Sequence, residues 1–242
     1  MAAAMPEVSV VAPVHDEEGA AAPLAEEIAA ALAGFDHEII FVDDASRDHT
    51  RAQLSALKAR LPQLRVLAHR RNAGQSRAVR TGVLAARGDI IVTLDGDGQN
   101  DPADAPKLIA RLKAGDGRLA LVGGQRLKRQ DTAAKRWASR TANGVRKRLL
   151  HDHADDTGCG LKAFRREAFL RLPYFDHMHR YLPALMIREG YEVAFEDVSH
   201  RARTTGRSKY TNLGRLWASL SDLLGVMWLR SRFRDSGGAD EA

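Results

Sequence analysis

Residues 90–102 read IIVTLDGDGQNDP, and this stretch decides the predicted fold. Its first five residues predict a buried strand. Asp95 and Asp97 follow the strand directly, separated by Gly96 and followed by Gly98. Hard cations such as Mg²⁺ or Mn²⁺ prefer carboxylate oxygens, and glycines let a bulky phosphate approach closely. For these residues alone, an Asp-Gly turn in a β-hairpin is the alternative. The surrounding sequence decides between a metal site and a turn.

The same succession of strand and polar loop occurs three times before this stretch. Residues 8–12, 38–42 and 64–68 predict strands, each followed by a helical pattern. This alternation predicts an α/β domain with a Rossmann-like, mostly parallel central sheet and helices on both faces. In such sheets ligands bind beyond the carboxyl ends of the strands. The loops expected to line that edge are residues 13–18, 43–48, 71–74 and 95–99.

The second half of the chain is less regular. Helices are predicted over 103–113 and 166–171, and strands over 119–122 and 192–200. A basic helical stretch over 133–150 could face nucleic acid, but it has no known nucleic-acid motif and no interleaved aromatic residues. We therefore expect no nucleic-acid partner.

Composition limits the class of protein. The 242 residues are 44% hydrophobic, which suits one large domain or a domain with an appendage. The formal net charge of +6 favours anionic partners such as nucleotide phosphates or an anionic membrane surface. A single cysteine, Cys159, excludes an internal disulfide, and the first residues lack a signal pattern, so we expect a cytoplasmic setting. No apolar run is long enough to span a bilayer.

The predicted edge of the sheet is strongly acidic. Asp43 and Asp44 follow one strand, and Asp95 and Asp97 follow another. So many carboxylates are unstable together unless cations or donors face them. A nucleoside diphosphate with its metal supplies the positive charge, and carboxylates accept hydrogen bonds from a base or a ribose. For Asp43 and Asp44 alone, capping of the next helix is an equal alternative.

Nine short motifs, in this order and spacing, resemble glycosyltransferase family 2. Within that family the chain looks most like the polyprenyl-phosphate glycosyltransferases of the dolichol-phosphate mannose synthase type, over about residues 7–230. The motifs are PVHDEE at 13–18, VDDASRDHT at 42–50, RNAG at 71–74, LDGDGQ at 94–99, GQR at 124–126, DTGC at 156–159, HRYLP at 179–183, HRAR at 200–203 and GRSKY at 206–210.

The resemblance implies a GT-A fold over residues 7–210 and a UDP- or GDP-linked sugar donor. It also implies a Mg²⁺ or Mn²⁺ ion bound through Asp95, Asp97 and Gln99, with Asp97 counted among the catalytic residues. The residues that the resemblance assigns to the donor are Pro13, Glu17, Asp44, Arg71, Asn72 and Asp95. The chain departs from the usual family pattern at Ala45, Ser76 and Gln125, where Gly, Gly and Ser are commoner.

The acceptor implied by the resemblance is the phosphate of a polyprenyl lipid. An ionised phosphate needs little help from a general base, but bringing two anions together requires cations. Arginine forks match phosphate oxygens well. The predicted acceptor site contains Arg126, Arg203, Arg207, Ser208 and Lys209, and we count Arg126, Arg203 and Lys209 among the catalytic residues. A solvated basic loop is the alternative for residues 201–209.

Residues 211–234 predict an amphipathic helix, followed by a disordered tail over 235–242. The helix could pack on the core, or it could lie in the membrane interface, where its tryptophans and arginines suit an anionic leaflet. The second alternative predicts a peripheral protein at the inner face of the cell membrane. The oligomeric state stays open.

Two other functions remain possible from the residues. A glycan or other hydroxyl acceptor would need a general base, and the usual family position for one holds Asp156 without a clear Glu-Asp pair. A non-catalytic nucleotide- or nucleic-acid-binding protein is less well supported. We expect Cys159 to be a packing residue and the histidines at 151, 153, 177 and 179 to be loop residues, because neither pair has further zinc ligands nearby.

Overall fold

The structure is a computed structural model that describes residues 5–126, 144, 146–201 and 212–234, with side chains from residue 220 onward in the last range. Among these residues the strands form a seven-stranded sheet in the order β3-β2-β1-β4-β6-β5-β7. The strands are β1 (Val8–Val14), β2 (His37–Asp43), β3 (Leu64–Ala68), β4 (Ile90–Thr93), β5 (Leu119–Arg126), β6 (Lys162–Arg165) and β7 (Glu192–Val198).

Helices cover both faces of this sheet, which confirms the predicted α/β architecture. In the described part of the chain they are α1 (Ala21–Ala31), α2 (Thr50–Leu57), α3 (Gln75–Ala85), α4 (Ala105–Lys113), α5 (Arg166–Arg171), α6 (Leu182–Arg188) and α7 (Asn212–Ser231). None of the helices in the described ranges is long and apolar enough to cross a membrane. Most of the predicted basic helix, residues 133–150, lies outside the described residues. Its described residues 146–150 are helical.

Two apolar cores lie on opposite faces of the sheet, because successive side chains of a strand point to opposite sides. Val10 packs into the core that contains Leu24, Leu54 and Leu108 from α1, α2 and α4. Its neighbour Val11 packs into the other core, which α3, α5, α6 and α7 cover. Burial on both faces explains why the strand sequences are nearly continuous apolar runs.

Strand β6 is the one element of the described sheet that runs against its neighbours. It pairs antiparallel with β4 and with β5, whereas the other pairs are parallel. Its reversed direction brings its first residue, Lys162, opposite Thr93 at the carboxyl end of β4. The sheet edge that collects the ends of β1, β2 and β4 therefore also receives the start of β6.

Candidate active site

The loop after β4, residues 95–101, is called the metal loop below, and it folds back on itself. The backbone N–H of Asp95 donates to Oδ1 of the buried Asn100 over 2.9 Å, and the N–H of Gln99 donates to Asp97 Oδ1 over 3.1 Å. Gly96 has no room for a side chain, since a Cβ there would lie 2.6 Å from the Pro13 carbonyl oxygen. The loop thus holds both predicted metal-binding carboxylates at the sheet edge.

Asp95 is enclosed by groups from the second half of the chain as well as from α3. The Gln75 side-chain amide donates to Asp95 Oδ1 over 2.7 Å. The Asp95 carboxylate packs on Gly160, where a Cβ would lie 2.4 Å from an Asp95 oxygen. Burial raises the pKa of Asp95, and the neighbouring Asp97 carboxylate raises it further, against the opposing effects of Lys162 and Gln75.

These residues fit a hard divalent cation. Asp95 and Asp97 repel each other in a partly desolvated place, and an ion between them removes that repulsion. Within the described ranges no cluster of three or more His, Cys, Asp or Glu side chains forms a metal site. The Gln99 amide oxygen, substrate oxygens or water would therefore complete the oxygen ligand set that Mg²⁺ or Mn²⁺ prefers.

Lys162 is a site residue that our reading of the sequence missed. It is buried, lines the same cleft as Asp95, and its ammonium group donates to the Cys159 carbonyl oxygen. Burial lowers the pKa of Lys162, while the charges of Cys159, Asp95 and Asp156 act to raise it. Its position at the start of a short apolar run could have indicated a site residue. A lysine buried with such a strand needs anionic partners. The described side chains that line the cleft are Pro13, Gln75, Val79, Thr93, Leu94, Asp95, Lys162, His179 and Leu182, together with Gly160.

Asp44 organises the loop that carries Arg71 and Asn72. Its carboxylate accepts hydrogen bonds from the backbone N–H groups of Ala73 and Gly74 at 2.9 and 2.8 Å, and from His69 Nδ1 at 2.7 Å. The Asn72 amide donates to the Asp44 carbonyl oxygen over 3.3 Å. Asp44 therefore shapes the loop, and its predicted contact with the donor stays a prediction, as do those of Pro13, Glu17, Arg71 and Asn72.

The loops after β1 and β2 are also joined, as expected for neighbouring strands. The backbone N–H of Glu17 donates to Thr50 Oγ1 over 2.9 Å, and that of Asp16 donates to Ser46 Oγ over 3.0 Å. Ala45, one of the departures from the family pattern, has a φ of 60°, a conformation in which glycine is unstrained. The departure from the family pattern at Ala45 thus places an L-residue where the backbone favours glycine.

Arg126, from the end of β5, forms a two-pronged salt bridge with Asp156. Arg126 Nε lies 2.5 Å from Asp156 Oδ2, and Nη2 lies 2.7 Å from Oδ1. Burial lowers the pKa of Arg126, but the hydrogen bonds and charge of Asp156 outweigh it and raise the pKa overall. The other predicted acceptor residues, Arg203, Arg207, Ser208 and Lys209, lie outside the described residues.

The histidines behave in two ways. His151 and His153 lie in irregular backbone at φ of 47° and 54°, which confirms them as loop residues. His179 instead lines the cleft in a short 3-10 turn, and its Nδ1 shares a 2.7 Å hydrogen bond with Ser76 Oγ. Burial lowers the pKa of His179 well below its usual value, so the imidazole is neutral at pH 7.

Cys159 is buried against Asn100, which confirms its predicted packing role.

Comparisons with known proteins agree with the predicted family. The profile of Glycosyl transferase family 2 matches residues 9–172. The dodecaprenyl-phosphate galacturonate synthase of Rhizobium johnstonii is 34% identical over 227 residues, which cover 92% of this chain and 67% of that protein. The undecaprenyl-phosphate 4-deoxy-4-formamido-L-arabinose transferase of Shewanella sediminis is 35% identical, over 84% of this chain and 61% of its own length. The chain thus spans about two thirds of the length of these relatives.

Solved structures confirm the fold. Glucosyl-3-phosphoglycerate synthase from Mycobacterium tuberculosis, crystallised with Mn²⁺, uridine diphosphate and phosphoglyceric acid, aligns with a TM-score of 0.70 at 21% identity. The alignment covers 96% of this chain and 81% of that protein. At this identity the likeness supports the GT-A-like architecture alone. Because the family profile covers more than half of the chain and the relatives share about a third of its residues, the chain belongs to glycosyl transferase family 2.

Proposed function

We propose that the protein transfers a sugar from a nucleoside diphosphate sugar to a polyprenyl phosphate, with inversion at the anomeric carbon. The observation that carries the proposal is the Asp95 and Asp97 pair at the ligand-binding edge of a family 2 sheet. The two curated relatives described above, which match most of this chain, are named for transfer to dodecaprenyl and undecaprenyl phosphate. The nucleotide, UDP or GDP, and the sugar are left open.

On the donor side, Asp95, Asp97 and Gln99 would hold a Mg²⁺ or Mn²⁺ ion, which neutralises charge on the departing diphosphate when bound. The chain itself orients Asp95 through Asn100 and Gln75, and the Gln99 N–H donates to Asp97. Asp44 holds the loop of Arg71 and Asn72 beside them. The neutral His179 and the buried Lys162 line the same cleft as Asp95.

On the acceptor side, the state of Asp156 favours a phosphate over a hydroxyl nucleophile. A hydroxyl needs a general base, and Asp156 stands at the usual position for one. Both of its carboxylate oxygens accept hydrogen bonds from Arg126, so it is engaged as a counter-ion. An ionised phosphate attacks the anomeric carbon without such a base, and Arg126, with Arg203, Arg207, Ser208 and Lys209, would bind its oxygens.

Helix α7 supports contact with a membrane surface. One face packs on the core through the fully buried Val226. On another face Leu220, Leu224 and Trp228 recur at intervals of four residues and are 47%, 58% and 59% exposed. Arginines follow this apolar stripe, which suits an anionic leaflet. We therefore place the protein at the inner face of the cell membrane as a peripheral protein, where a lipid acceptor would be within reach.

The test is transfer itself. The purified chain is incubated with Mn²⁺, a panel of UDP- and GDP-sugars and a short polyprenyl phosphate, and the lipid is then weighed by mass spectrometry. The matched control is the polyprenol of equal length, which offers a hydroxyl in place of the phosphate. We expect a glycosylated product from the phosphate alone. Formation of product from the alcohol would overturn the proposal. So would the absence of product from both lipids with every donor.

A further inference from the structure

The short segment after β7 runs along the metal loop. The Ser199 N–H donates to Asp104 Oδ2 over 2.7 Å, and the Arg201 N–H donates to the Gln99 carbonyl oxygen over 3.0 Å. Between them, His200 forms an antiparallel bridge with Asn100. The metal loop is therefore bound along its second half by residues about a hundred positions later in the chain.

The Arg201 side chain adds a second connection. Its Nη2 lies 2.8 Å from Asp101 Oδ1 in the metal loop, and its Nη1 lies 2.5 Å from Glu27 Oε2 on α1. One guanidinium thus joins a helix of the first βα unit to the loop that carries Asp97 and Gln99. The backbone of the same residue contacts Gln99, so Arg201 reaches the loop at two points.

We propose that Arg201 is a positioning residue that holds the metal loop in its binding conformation. Its guanidinium acts through Asp101, its backbone N–H binds Gln99, and it does not itself contact the ion or the substrates. The inference rests on the proposed metal site.

Stability alone would not account for this arrangement. The Arg201 side chain is 41% exposed, and exposed ion pairs contribute little to folding. Partners that orient metal ligands have larger effects on affinity, since their loss commonly costs about 10- to 100-fold. Removal of the guanidinium should therefore weaken metal binding far more than it weakens the fold.

The experiment compares four substitutions, of which Arg201→Lys keeps the positive charge. Arg201→Gln removes the ion pairs with Asp101 and with Glu27, and Glu27→Gln removes only the ion pair with α1. Arg118→Gln is the matched control, because Arg118 also joins two acids, Asp116 and Glu192, away from the cleft. Affinity for Mn²⁺, alone and with UDP, is measured by calorimetry and by the electron paramagnetic resonance signal of free Mn²⁺. Thermal unfolding of each variant is recorded in parallel.

We expect Arg201→Gln to bind Mn²⁺ about 10-fold more weakly, Glu27→Gln to lose part of that affinity, and Arg118→Gln to stay close to wild type. Arg201→Lys should recover part of the affinity through a single contact with Asp101. Unchanged Mn²⁺ affinity in Arg201→Gln, or an equal loss in Arg118→Gln, would overturn the inference and leave the proposed function intact. Absence of Mn²⁺ binding by the wild-type protein would overturn the metal site and the inference with it.

Discussion

Arg126 and Asp156 are joined by two hydrogen bonds, so the acid at the usual position of a general base is bound to a cation. A positively charged side chain held in this way keeps its charge and its orientation for an incoming phosphate. The role of this pair therefore distinguishes a phosphate acceptor from a hydroxyl acceptor, the two that the sequence leaves open. Substitution of Asp156 tests that role directly.

Asp156→Asn should lower transfer to polyprenyl phosphate by about 10-fold, mainly through a higher KM for the lipid, because Arg126 loses its anionic partner. General-base catalysis is worth about 100- to 10,000-fold. A loss of that size in kcat, together with loss of the acid limb of the pH profile, would mean that Asp156 removes a proton. Steady-state kinetics between acid and neutral pH give both quantities.

Asp97→Ala should abolish Mn²⁺ binding and reduce transfer by at least about 100-fold, while the fold stays intact. Chelation of the wild-type protein with EDTA should have the same effect, and added Mn²⁺ or Mg²⁺ should reverse it. Asp116→Ala is the control, since Asp116 lies in an exposed turn away from the cleft. Wild-type turnover in EDTA would remove the metal from the proposal.

Ala45→Gly should stabilise the protein by about 0.5–1 kcal/mol, because an L-residue at a φ of 60° is strained and glycine is not. Ala30→Gly makes the same chemical change on the exposed side of α1 and should destabilise by about 0.5–1 kcal/mol. Urea unfolding measures both free energies. A destabilised Ala45→Gly variant would contradict the assigned strain.

Glu38 should make stability depend on acid pH. Burial raises its pKa, but hydrogen bonds from Arg65, Ser9 and the Arg87 N–H outweigh that effect, and the net pKa is lowered. A lowered folded pKa stabilises the fold above the unfolded value, and this contribution disappears as the pH falls through the folded pKa. Urea unfolding between pH 7 and about pH 3.5 should show the decline.

Glu38→Gln should be less stable than wild type by about 1.5–3 kcal/mol at neutral pH and should show less of this acid dependence. Glu26→Gln removes an exposed salt bridge to Arg60 and should change the free energy of unfolding by less than about 1 kcal/mol. Equal effects of the two substitutions would show that burial of Glu38 adds nothing.

Leu224→Ser combined with Trp228→Ser should weaken binding to anionic vesicles by about 10-fold or more, because exposed apolar area is lost from α7. Leu84→Ser is the control, since Leu84 is 55% exposed on α3. Co-sedimentation with anionic and neutral vesicles measures the binding. Vesicle binding that survives the double substitution would assign the membrane contact to another surface.

The sequence was sufficient for the first half of the fold and for the position of residues 95–101 after β4. Residues 8–94 alternate between apolar runs and helical patterns, and periodicity alone predicts such elements well. Strand β6 was missed because it is four residues long and has Lys162 and Arg165 at its ends. Helix α6, at seven residues, was missed as well.

Side-chain partnerships were harder to predict than elements. The sequence assigned Asp44 to the donor, whereas the structure also gives its carboxylate three hydrogen-bond donors within the protein. Lys162 and His179 enter the cleft through the reversed strand and a 3-10 turn, and neither carries a periodic signal. Such contacts depend on tertiary packing between distant segments, which a pattern along the chain does not contain.

The reversed strand β6 also has a consequence for the order of folding. Thr93 Oγ1 donates to the Gly160 carbonyl oxygen across 67 residues of chain, and the same pairing brings Lys162 into the cleft that Asp95 lines. Parallel units made of neighbouring segments close shorter loops, so they lose less chain entropy and form earlier. We expect the cleft to be completed only when β6 enters between β4 and β5, so that acquisition of Mn²⁺ affinity during refolding would report the arrival of the chain's second half.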